Sequence, residues 1–145
     1  HDMTVLRGAF GQAERVVSTE IWGGGRYYSA VLEFPDDVRC VFYTGIVQHR
    51  IFDEEMIVYA ADRTVAINFP SPFIKNAPTM VTVREMADGM LCERRIEASY
   101  EEAFKRELVH WHDCIVNDRE PRTGVHEGRA DTALLIEMAK ACTAR

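Results

Sequence analysis

"MLCERRIEASYEEAFKRELVHWHDCIV" (residues 90–116) changes its period half-way along. Up to Ala98 it is a short run behind a turn-forming Ala87-Asp88-Gly89, the pattern of a strand leaving a hairpin. From Ser99 onward the apolar residues Phe104, Leu108, Trp111 and Ile115 recur at helical spacing and form one stripe. Ser99 stands three residues before Glu102, the S-x-x-E capping box that satisfies exposed N–H groups at a helix start. The spacing therefore predicts a helix over 99–116.

Upstream of this switch the sequence reads as strands. "ERVVSTEIW" (Glu14–Trp22) is rich in β-branched residues. Gly23–Gly25 break it, and "RYYSAVLEF" then alternates, with Tyr28, Ala30, Leu32 and Phe34 on one face and Tyr27, Ser29, Val31 and Glu33 on the other. Pro35-Asp36-Asp37 is turn chemistry ahead of "VRCVFYTGIV". "EEMIVYA", "TVAINF" and "TMVTVREM" continue the series, and the proline-rich Pro70–Pro78 forms an irregular loop between the last two. Downstream, Asn117–Gly124 ends the first long helix. A second is predicted over 125–144, with Ala130, Leu134, Met138 and Ala141 on one face. Strands first and helices last predict an α+β fold: an open, predominantly antiparallel sheet of about six strands with helices on one face. A short helix, "HDMTVLRGAFG" (His1–Gly11), precedes the strands. A chain that opens inside a helix reads as one that has lost a preceding part.

The 145 residues are taken as one domain, 1–145, long enough for a single core. A net charge of −6 and the lack of a basic stripe argue against a nucleic-acid partner. No run approaches the roughly 18 to 20 apolar residues of a membrane span, so no membrane partner is expected. Cys40, Cys92, Cys114 and Cys142 are widely spaced, without a CxxC pair. They read as buried free thiols of a cytoplasmic protein rather than as a zinc or redox site. Both sheet faces carry apolar or aromatic residues, so the face without helices is expected to meet another subunit or domain, with Tyr27, Val31, Val41 and Tyr43 as candidate contacts.

Among the histidines, His110 and His112 lie two apart on a helix and do not share a face, which disfavours a joint metal site. His126 reads as structural. His49 and Arg50 sit together between two strands; they are either an exposed loop pair or a grip for a polar or anionic ligand. Gly23–Gly25 join strand to strand and do not open a helix, so no dinucleotide cradle is expected on this chain. No metal site is expected either.

The tail resembles the C-terminal end of the Gfo/Idh/MocA family, the glucose–fructose oxidoreductase and inositol dehydrogenase group. The family pattern of a helix ending near F-x-x-C-I, a G-x-E-P turn and a glycine-containing last helix is matched by Trp111, Cys114, Ile115, Asp118, Glu120, Pro121 and Gly128. Asp118 stands where the family has glycine. The opening resembles the family's H-D/E-x-x-x-L-R-x-x-x-G helix, and the strands between fit its open sheet, so the resemblance covers the whole chain. It implies the C-terminal substrate-binding and oligomerisation domain of an NAD(P)-dependent oxidoreductase acting on a sugar, polyol or related small molecule. NAD or NADP would be bound by a Rossmann domain outside this sequence, leaving this fragment without cofactor and inactive by itself. The resemblance gives His1 the position of the family's proton-transfer histidine. Many of its dehydrogenases also carry an acidic residue four positions earlier, upstream of this sequence. It implies substrate contacts for His49, Arg50 and Phe52, Phe52 matching a position that is often Tyr in inositol-dehydrogenase-like members. A homo-oligomer through the open sheet face is implied as well. The alternative is a stand-alone binding or dimerisation module without redox chemistry.

Overall fold

The computed structural model describes residues 1–49 and 51–143. Among them the order is α1 (Asp2–Phe10), β1 (Arg15–Trp22), β2 (Tyr27–Phe34), β3 (Val38–Gly45), β4 (Glu54–Tyr59), β5 (Arg63–Phe69), β6 (Thr79–Ala87), β7 (Met90–Ser99), α2 (Ala103–Val116) and α3 (Val125–Thr143). The α+β assignment holds, and every strand pairing is antiparallel. The seven strands form a three-stranded sheet, β1-β2-β3, and a four-stranded sheet, β4-β5-β6-β7. The chain divides into two compact units, His1–His49 with Glu120–Arg145, and Arg50–Arg119.

In the first unit the alternation of β2 has a direct physical outcome. Ala30, Leu32 and Phe34 are buried, Leu32 completely. Thr19 pairs with Ala30 on one side, and Phe42 and Cys40 pair with Ala30 and Leu32 on the other, so these residues share the inner face. α3 packs on β1. It supplies the buried Leu134 and Met138, with Ala130 and Ala141 half-buried beside them, the face expected from its spacing. α1 adds the buried Met3 and Leu6, and its Phe10 meets Phe34 edge-on at 5.9 Å. On the inner face the Thr19 hydroxyl is buried with no hydrogen-bond partner among the described residues, and the Tyr28 hydroxyl is buried near Cys142. Burial foremost, with Cys142 beside it, pushes the Tyr28 phenol up to about 12.

The outer face of this sheet carries the other set. Val41 is 78% exposed and Tyr43 62%. Trp22 stacks on Tyr27 at 5.7 Å and approaches Tyr43 at 5.9 Å. Gly45 pairs with Tyr27, and a Cβ there would stand 2.6 Å from the Tyr27 ring, so glycine makes room for that ring. At the far end Glu33 is held between Arg15 and Arg39, and the Arg15 guanidinium draws its carboxyl below the usual range.

The turns follow their sequences. Asp36 and Asp37 both take left-handed φ, as do Asp88 and Gly89 in the two-residue loop between β6 and β7. That is the backbone twist a tight hairpin needs. In the second unit Val83 is buried and β7 is exposed along nearly all its length.

Three sequence expectations need correction. The Ser99–Glu102 box does not start α2: Ser99 still pairs with Thr79 as the last residue of β7. Its hydroxyl instead accepts the Glu101 N–H at 3.2 Å. This local turn competes with helix, and α2 begins at Ala103 without a side-chain cap. The stripe of α2 is not buried: Leu108, Trp111 and Ile115 are each at least 60% exposed, and the inward residue is Cys114. Cys92, expected to be buried, is exposed on β7.

Candidate functional site

The segment that carries His1 is short and well anchored. His1 occupies the N-cap of α1; its carbonyl accepts the Val5 N–H at 3.1 Å, and its side chain makes no capping bond. The imidazole is therefore not consumed by helix capping, and the residue is exposed. One turn further on, Thr4 and Arg7 lie three apart, which puts them on the same side of the helix. Thr4 Oγ1 donates to Asp131 Oδ2 at 2.6 Å. Arg7 Nε donates to Asp131 Oδ1 at 2.8 Å, and its terminal nitrogen to Oδ2 at 3.3 Å. The Arg7 hydrogen bond, then that of Thr4, holds the Asp131 carboxyl below the usual 3.8, against the opposing effect of burial. The helix ends at Gly11, whose φ of 84° is left-handed.

α3 is tied at its own start. The Gly124 N–H donates to Glu127 Oε2 at 2.9 Å, the returning half of a capping box. The box expected at α2 thus has its counterpart here.

His49 is exposed beyond β3 in the same unit as His1. Phe52, half-exposed, precedes β4 in the other unit. Arg50 lies outside the described residues. His110 is half-buried, with Nε2 3.6 Å from Cys114 Sγ, while His112 and His126 are exposed. Among the described residues no group of three or more His, Cys, Asp or Glu could hold a metal ion.

Periodicity and motif did not point to two features. One is Asp131, whose partners are 124 and 127 residues away in sequence. The other is an open groove of about 420 Å³ lined by Asn76, Ser99, Tyr100, Glu101, Glu102 and Lys105. Glu101 there is engaged by Lys105 and Arg106 at 3.5 and 3.7 Å.

Gly23–Gly25 link β1 to β2 within one antiparallel pair, a strand-to-strand turn rather than the strand-to-helix turn of a dinucleotide site.

The fold resembles a solved structure of a presumed oxidoreductase from Yersinia pestis, with a TM-score of 0.67 at 14% identity. The likeness covers 97% of this chain and 45% of that one, so the chain spans about half the length of the structure it matches. No family model matches the sequence. No curated protein matches it either. No helix among the described residues is long and apolar enough to cross a membrane.

Proposed function

We propose that this chain is the substrate-binding and oligomerisation half of an NAD(P)-dependent oxidoreductase of the Gfo/Idh/MocA type, acting on a sugar, polyol or related small molecule. The observation that carries the reading is the fold likeness, which takes in nearly the whole chain but under half of a presumed oxidoreductase. The local geometry is consistent with the resemblance noted in the sequence. In the helix that follows His1, Leu6 is buried, Arg7 anchors the helix to α3, and Gly11 terminates it. At the turn after α2, Asp118 takes φ 48°, the conformation that explains a glycine at this position in the family pattern.

In this reading a nicotinamide nucleotide held outside the present chain would supply the hydride acceptor when bound. His1 takes the proton of the substrate hydroxyl, a role suited to an imidazole near neutral pH. His49, Arg50 and Phe52 contribute to the substrate wall. The outer face of the β1-β2-β3 sheet, with Trp22, Val41 and Tyr43, meets a second copy.

The test is a screen of aldoses, polyols and their oxidised counterparts with NAD and NADP on the full-length protein, followed by nicotinamide absorbance. Turnover with one of them is expected. His1→Ala should lower kcat by about 10²-fold or more, the scale of losing a general acid–base group. An absence of turnover across the screen, with the protein folded, would move the reading to a binding module.

A further inference from the structure

α1 has nine residues, too few to hold a helix together in water without tertiary support. Its support is of two kinds. Met3 and Leu6 are buried, but apolar burial is non-directional and tolerates rotation about the helix axis. The polar contacts are directional. Thr4 and Arg7 use both oxygens of one carboxylate on α3. An exposed ion pair would be a weak lock. Here the Arg7 and Asp131 side chains are only 21% and 13% exposed, and a third hydrogen bond comes from a neutral hydroxyl.

We propose that Asp131 is the positioning residue for His1: by fixing the rotation and sliding of α1 it aims the imidazole one turn away. The proposal rests on the reading of His1 as the proton-transfer group. Thr4 is the closest point of the clamp to His1 in sequence, so a loss of the clamp is felt first at the end of the helix that carries the imidazole. α3 is the rigid side of the pair, because Leu134 and Met138 seat it on the sheet.

The test uses the full-length protein with ¹³C-labelled histidine rings, the His1 signal being identified by its loss in His1→Ala. Asp131→Asn and Asp131→Ala should shift the His1 ring signal and speed amide exchange across residues 2–10 by about tenfold or more. Exchange in β2 should be unchanged, and Asp131→Glu should preserve much of the original signal. An unmoved His1 signal with unchanged α1 exchange in Asp131→Ala would overturn the proposal. Should Asp131→Ala fail to fold, Thr4→Val decides, since it removes one bond and keeps the ion pair; an unmoved His1 signal there overturns the proposal equally. Kinetics separate this inference from the one beneath it. With the substrate found by the screen, Asp131→Asn should lower kcat with little change in KM. If His1→Ala leaves turnover intact while Asp131→Asn still moves the His1 signal, the clamp stands and the role of His1 falls.

Discussion

Asp118 holds φ 48° at the end of α2, and the Arg119 N–H reaches back to the Cys114 carbonyl at 2.9 Å. That six-to-one bond closes a Schellman motif, whose left-handed position favours glycine. Aspartate tolerates the conformation better than most residues, yet still bears part of the roughly 1 to 2 kcal/mol steric cost of a Cβ there. Asp118→Gly is therefore expected to be neutral or to stabilise by up to about 1 kcal/mol, and Asp118→Val to destabilise by about 1 to 2 kcal/mol. Urea denaturation of both variants checks this. At Asp131 the expected effect is on acid stability. Its folded-state pKa lies below the usual 3.8, so its contribution is complete above that value and is lost as pH falls through the folded one. Asp131→Asn should lower the urea midpoint near neutral pH and shrink the loss seen on acidification. An unchanged acid limb in that variant would contradict the role of the carboxylate. Asp118 was legible in the sequence, because a turn motif is local. Asp131 was not, because one acidic residue on a helix carries no mark of the partner it will meet.

At the scale of elements, α3 and α2 behave in opposite ways despite similar periodic patterns. Leu134 and Met138 are buried against their sheet, whereas Leu108 and Trp111 are exposed. Leu134→Ala should cost about 2 to 5 kcal/mol, the range for emptying a packed site, while Leu108→Ala should stay within about 0.5 kcal/mol in this chain. Thermal unfolding of the two variants distinguishes them, and equal losses would mean that α2 is packed in solution. Period 3.6 locates a stripe but does not say what covers it. The start of α2 shows the same limit. Ser99 and Glu102 have capping spacing, but pairing with Thr79 keeps Ser99 in the strand and delays the helix to Ala103. Strand pairing is non-local and overrides a local cap.

For the whole molecule, the consequential surface is the outer face of the β1-β2-β3 sheet. Trp22, Val41 and Tyr43 are exposed there, with the Arg15–Glu33–Arg39 cluster at the far end of the same face. Aromatic side chains of this kind dominate the energetics of interfaces. Under the proposed oligomer, Val41→Glu combined with Tyr43→Ala should shift the protein toward monomer without loss of fold, because neither side chain is in the core. Light scattering across a concentration series reads this, and a protein that is already monomeric at high concentration would remove the basis for the interface.

The succession of strands, the tight turns at Asp36-Asp37 and Asp88-Gly89, and the buried face of α3 were set by sequence alone. Each depends on residues within a few positions of one another: alternation, left-handed turn residues, a four-residue apolar repeat. The grouping of seven strands into sheets of three and four, the exposure of the α2 stripe and the identity of the outer face required the tertiary structure. So did the Thr4–Arg7–Asp131 clamp, which joins residues as many as 127 positions apart. Those features arise from which surfaces exclude water together and which charges find a partner once the chain has folded. No short window of sequence contains both sides of such a contact.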